Sequence, residues 1–266
     1  MKIWVITTSL VIIFSLNLLW VNGQSVDEYS DLEDKKILLV YGGWEGHQPE
    51  KFAGIITQWL EEQGGRVIVS NSTQIYTNQD LINSVDLIIQ SITMSELKKN
   101  ESRGLLKAVK SGVGFAGCHG GAGDAFRSDT EYQYMVGGQF VSHPGGQLEY
   151  QVQIVDSLHS ITRGIKDFSV HTEQYYMHID PNNTVLATTH FTSDHHHWIQ
   201  GTVIPVVWIK HYGKGRVFYS SLGHAPKDIT HLQSWKILTR GIEWAANSKS
   251  DEHLNLVSPI YQNRNQ

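Results

Sequence analysis

Between residues 36 and 117 the chain alternates short apolar runs with amphipathic stretches, and this alternation restricts it to a small set of architectures. Residues 37–41 form a continuous apolar run of strand length. Residues 50–63 then place Phe52, Ile55, Ile56, Trp59 and Leu60 at the spacing of one helical face, closed by Gly64-Gly65. Residues 67–69 and 87–90 read as further strands, and 95–110 as a second helix with Leu105, Ala108 and Val109 inward. Residues 114–117 make a fourth strand of mostly small residues. Such spacing predicts βαβ units and a parallel sheet with helices on both faces. From 145 to 211 the pattern changes: 148–155, 185–190 and 203–210 are strand-like with no helix between them, which predicts a β-rich insertion extending the sheet. The chain returns to α/β with a strand at 216–222 and a helix at 234–247 carrying Trp235, Leu238, Ile242 and Ala245 inward.

This core must hold without intrachain disulfides, because Cys118 is the one cysteine in 266 residues. Residues 1–23 have the layout of a signal peptide: Lys2, an apolar stretch through Leu10, Val11, Ile12, Ile13 and Phe14, then Val21-Asn22-Gly23. Thr7, Thr8, Ser9, Ser15 and Asn17 dilute the stretch and argue against an uncleaved anchor. The expected organisation is a signal peptide at 1–23, a polar leader at 24–35, one domain at 36–247 and a polar tail at 248–266. Export to the periplasm or cell surface follows, with no membrane span left after cleavage. Lys plus Arg (21) is outnumbered by Asp plus Glu (26), and no basic run interleaves with aromatics, so nucleic-acid binding is excluded.

In an open parallel sheet, ligands bind beyond the carboxyl ends of the strands. Applied to this chain, that rule places four loops on one rim: Gly42-Gly43-Trp44-Glu45-Gly46-His47, residues 91–95, Cys118-His119-Gly120-Gly121, and Gly223-His224. The run Gly112-Val113-Gly114-Phe115-Ala116-Gly117 matches a dinucleotide pattern by spacing, but the strand runs through it instead of preceding it, so it marks close backbone packing.

Beyond these features, the sequence resembles the ThuA-like (trehalose-utilisation) family over about residues 36–247. The resemblance rests on the first loop ending in His47, on Gly117-Cys118-His119-Gly120-Gly121 with Asp124, Phe126 and Arg127, and on Glu131-Tyr132, Gly137-Gly138-Gln139-Phe140 and His143-Pro144-Gly145. It continues through residues 159–164, Glu173-Gln174-Tyr175-Tyr176, Arg216-Val217-Phe218-Tyr219 and Gly223-His224. It implies a flavodoxin-like (class I glutamine amidotransferase-like) fold, a role in carbohydrate use that includes keto forms of sugars, and His119, not cysteine, as the feature of the fourth-strand turn.

The fold relationship raises a Cys-His nucleophile pair, Cys118 with His224. Such a pair needs a carboxylate to orient the histidine, and the residue two past His224 is Pro226. Cys118 equally fits a packing role. The alternative is histidine chemistry. His119 and His224, with Glu173 as carboxylate partner, form the expected acid-base set. Among the fourteen histidines, His47, His119, His143, His178 and His224, with Glu173, are candidate ligands for a divalent metal such as zinc, His47, His119 and His224 foremost. Trp44, Tyr175 and Tyr176 offer flat apolar surface for a sugar ring, and His47, Arg127 and His143 offer polar contacts to it. His195-His196-His197 reads as a solvated loop. The expected partner is a small carbohydrate; homo-oligomerisation stays open. The readings are an enzyme of hydrolase or lyase type, a non-enzymatic sugar-binding module, or a Cys-His amidotransferase-like hydrolase.

Overall fold

A computed structural model describes residues 32–250. The expected signal peptide, most of the leader and most of the tail lie outside these residues. The amino-terminal half follows the alternating pattern: β1 (Lys36–Gly43), α1 (Pro49–Glu62), β2 (Arg66–Ser70), α2 (Gln79–Ser84), β3 (Leu87–Thr93), α3 (Lys99–Lys110) and β4 (Gly114–Cys118). Proline at the first position of α1 wastes no backbone donor. Its buried residues Phe52, Ala53, Ile56 and Leu60 form one face. The predicted start of α3 at 95 is four residues early, for a local reason. The Met94 and Ser95 amides donate to the Asp124 and Ala125 carbonyls, and the helix begins only where the Glu101 carboxylate accepts from the Lys98 amide.

The carboxy-terminal half runs α4 (Gly120–Gly123), α5 (Thr130–Val136), β5 (Gly138–Ser142), β6 (Gln147–Ile154), β7 (Phe168–Glu173), β8 (Tyr176–Ile179), β9 (Thr184–His190), β10 (Val203–Tyr212), β11 (Gly215–Ser220), α6 (Pro226–Ile229) and α7 (Leu232–Ala246). One sheet of nine strands has the order β2-β1-β3-β4-β11-β10-β9-β6-β7. The first five are parallel, in a flavodoxin-like order, and the last four are antiparallel. β5 and β8 pair in a separate ribbon. The architecture is therefore the expected α/β sheet with a β-rich insertion.

Alternation along β1 shows how both faces are covered. Ile37 and Leu39 join a core with Phe52, Ile56 and Leu60 of α1 and Ile237 and Ile242 of α7. Leu38 and Val40 join the opposite core with Leu105, Ala108 and Val109 of α3 and Met135 and Val136 of α5. No described helix is long and apolar enough to cross a membrane.

Two glycines test this packing in opposite directions. A Cβ at Gly114 would overlap the Ala245 carbonyl of α7, whereas one at Gly54 in α1 meets nothing. Gly114→Ala is expected to cost about 1–3 kcal/mol by overpacking. Gly54→Ala is expected to add about 0.5–1 kcal/mol of helix stability. Urea denaturation of the two variants checks both signs.

Candidate active site

Three parallel strands and one antiparallel strand deliver the site. β1 ends in Gly42-Gly43 and turns through Trp44 into a single 3-10 turn, Glu45–His47. Gly43 has φ 79°, and a Cβ there would strike the Thr93 backbone, so the ends of β1 and β3 lie against each other. The result is a 2.9 Å contact between His47 Nδ1 and the Thr93 hydroxyl. β4 passes through Cys118 into His119, whose backbone has φ 47° and ψ −141°. Such a conformation costs a non-glycine residue on the order of 1–3 kcal/mol and persists only when its surroundings hold it. Here the His119 amide donates to the Ser220 carbonyl (2.7 Å), and its own carbonyl accepts from the Gly123 amide (2.9 Å) and the Tyr219 hydroxyl (3.0 Å). The chain after β11 reaches His224 through Gly223, at φ 113°. β7, at the far edge of the sheet extension, ends in Glu173.

These four side chains converge. The ring centroids of His47 and His119 are 4.8 Å apart, those of His47 and His224 5.0 Å, and those of His119 and His224 5.4 Å. Glu173 Oε2 lies 3.1 Å from His119 Nε2 and 3.2 Å from His224 Nδ1. The second of these contacts is off the hydrogen-bonding line, and His224 Nδ1 is buried without a hydrogen bond. The opposite nitrogen of His119, Nδ1, is 2.8 Å from the Ser221 carbonyl. A carbonyl only accepts, so Nδ1 carries the proton, and Nε2 of the neutral ring presents a lone pair. The Tyr175 hydroxyl donates to that nitrogen at 2.7 Å.

Burial pushes His119 below its ordinary pKa against the pull of Glu173. Burial, reinforced by the other two imidazoles, takes His47 down to about 3. Burial alone would raise Glu173, but the neighbouring His119 and His224 imidazoles outweigh it and hold the carboxyl well below its usual range. His224 moves up because contact with Glu173 exceeds the effect of its own burial. The ionised Glu173 carboxylate thus lies against Nε2 of His119 and Nδ1 of His224. One donor atom from each of His47, His119, Glu173 and His224 lies within 4.8 Å of all the others, and among the described residues this is the one such group. Three imidazoles and a carboxylate are a standard donor set for zinc or a similar divalent ion.

The remaining candidates divide. Tyr175 is at the centre of the site. His143 stands on its open side, with Nε2 3.7 Å from Glu173 Oε1. Trp44, 47% exposed, stands edge-on to His47 at 4.7 Å. Arg127 is ion-paired to Asp124 and lies over the Phe140 ring, which in turn contacts Tyr175 at 4.4 Å. Tyr176 turns to Phe191 (5.4 Å), and His178 borders a separate cleft with Gln139 and Asp180. Cys118 is buried, and burial pushes its thiol up to about 12. Thr93 and the Ser221 carbonyl position the site without having stood out individually in the sequence. Thr93 could have been found from its place at the third strand end.

Residues 36–245 match the ThuA family, described as trehalose utilisation. No curated protein matches the chain. Among solved structures, a ThuA-like protein from Bacteroides uniformis shares 17% identity over 82% of this chain and 93% of its own, with a TM-score of 0.68. Another, from Parabacteroides merdae, shares 20% identity over 86% and 94%, with a TM-score of 0.65. A cytoplasmic protein from Salmonella typhimurium shares 11% identity over 79% and 98%, with a TM-score of 0.57. At these identities the likeness is one of fold.

Gly120 is where backbone and site are most tightly linked, since a Cβ there would lie 2.6 Å from His47 Cε1 and 2.9 Å from Thr93 Cγ2. Gly120→Ala is expected to displace the His47 ring while leaving the sheet intact. Proton NMR should show the His47 Cε1–H resonance moved, with backbone amides of β1 and β3 unchanged.

Proposed function

The chain belongs to the ThuA family, and on that footing we propose that it is an exported enzyme of carbohydrate catabolism. We infer that its reacting centre is a divalent metal site, for zinc or a similar ion, formed by His47, His119, Glu173 and His224. One observation carries the metal: His119 Nε2 and Glu173 Oε2 meet at 3.1 Å while the ring's proton is committed to the Ser221 carbonyl. The Tyr175 hydroxyl is the proton donor on that nitrogen, and a cation held by both electron-rich atoms would relieve their repulsion in its place. A proton would make His119 an imidazolium, which its burial opposes; a cation satisfies the same atoms without that cost.

A divalent ion in such a site polarises a carbonyl or hydroxyl oxygen and lowers the pKa of bound water. The chain's own residues supply the rest. His143, on the open side of Glu173, stands where it can take or give a proton at the substrate. With His119 Nε2 taken by a metal, the Tyr175 hydroxyl would be released to donate to a sugar oxygen, and Trp44 offers an apolar edge for a ring to pack against. These groups suit a hydrolytic or lyase step on a sugar, glycoside or keto-sugar derivative. A Cys118 nucleophile is disfavoured by its high thiol pKa and by Pro226, which cannot orient His224. Export rests on the signal-peptide pattern of residues 1–23.

Metal analysis of the purified protein is expected to give about one divalent ion per chain. Turnover on trehalose and on its oxidised keto form should be lost with a chelator and restored by added metal. His119→Ala and His224→Ala should each lose both metal and turnover, while Cys118→Ala keeps them. Sugar binding without any turnover by the wild type would make the chain a binding module instead.

A further inference from the structure

Glu173 and His224 reach the site from distant parts of the chain, yet one atom joins the residues beside them. Asp228 Oδ2 accepts the Thr172 hydroxyl at 3.0 Å and the Ala225 amide at 3.0 Å. Thr172 immediately precedes Glu173, and Ala225 immediately follows His224. Asp228 is itself held by its amide, which donates to the Ala225 carbonyl at 2.8 Å, closing a reciprocal cap on α6. We propose that Asp228 is a positioning residue that sets the distance between Glu173 and His224 and thereby the affinity of the site for its metal.

Three features support more than a helix cap. First, a cap needs only the Ala225 contact; the bond to Thr172 crosses to another element, 56 residues away in sequence. Second, Gly223 gives the preceding loop a backbone hinge at φ 113°, so the position of His224 depends on what anchors the chain after it. Third, a cavity of about 230 Å³ bordered by Val170, Thr172, Leu222, Gly223, Asp228 and Ser234 lies beside the link. With room there for the loop to move, the link to Asp228 is what ties the loop to β7. Removal of a group that orients a metal ligand characteristically lowers metal affinity about 10–100-fold. The carboxylate that an amidotransferase-like pair would place two residues after the histidine is thus found four residues after it, acting on the backbone and not on the ring.

The metal part of this inference rests on the proposed centre, so its test includes a readout that needs no metal. In the full-length protein, zinc affinity is measured by competition with a chromophoric chelator, and the Cε1–H resonances of His224 and His119 are followed at fixed pH in metal-free protein. Asp228→Ala is expected to weaken zinc binding about 10–100-fold and to shift the His224 resonance while His119 stays in place. Asp228→Asn, whose amide oxygen can accept both bonds, should stay close to wild type. Thr172→Val leaves the α6 cap intact and should reproduce the loss even if Asp228→Ala does not fold. Folded variants with wild-type affinity and an unmoved His224 resonance would overturn the proposal. If the wild type binds no zinc, the metal reading falls, and the His224 resonance alone decides the positioning role.

Discussion

Around Glu173 the protein holds an ionised carboxylate against imidazoles with little exposure to solvent, and much of the surrounding structure serves that arrangement. Burying a carboxylate carries a desolvation cost that must be offset by directed charge. Here the offset comes from His119 and His224. The ring of His119 is itself anchored through Nδ1 on the Ser221 carbonyl, and that anchor requires the strained backbone at His119. The strain in turn is maintained by β11, which supplies the Ser220 carbonyl and the Tyr219 hydroxyl. A chain of dependence therefore runs from the β4–β11 pairing to the orientation of a single lone pair.

Why the fold needs its antiparallel extension follows from the same geometry. The parallel half brings His47, His119 and His224 to the carboxyl ends of β1, β4 and β11, which is where any doubly wound sheet exposes its loops. The strand between β1 and β4, β3, ends in Thr93, which contacts His47 but supplies no carboxylate. β10, β9, β6 and β7 carry the sheet outwards, and the end of β7 with the residues just after it brings Glu173 and Tyr175 against His119. The insertion that reads as decoration in the sequence is what completes the site.

Legibility in the sequence tracked locality. β1, β3, α1 and α7 were readable because each carries its own period: both-face burial in the strands and a one-sided apolar stripe in the helices. β5, β7 and β8 were not, because their stability comes from partners distant in the chain. His171 and Ser169 alternate with buried Val170 and Thr172 in β7, yet such a short mixed run does not stand out without β6 beside it. The histidines of the site were legible from strand ends, and Glu173 from the motif shared with the family. Tyr176 belongs to the same motif but lies on the other side of the β8 backbone, since successive strand residues point in opposite directions. Asp228 had no sequence signal tied to its role, because the Thr172 hydroxyl that it joins to the site lies 56 residues away in sequence.

The relation to amidotransferase-like folds turns on one residue of register at the end of β4. Such enzymes need the strained elbow position to carry a thiol that can ionise. In this chain Cys118 is still the last residue of the strand, buried and facing the α1 and α7 side, while the strained position belongs to His119. Moving the reactive group by one residue turns it to the opposite face, towards Glu173 and Tyr175. Imidazole there needs no activation to act as a ligand or a base at neutral pH, whereas a thiol in the same enclosed setting would stay protonated. The difference between a thiol and an imidazole at this turn therefore lies in backbone geometry as much as in the choice of side chain.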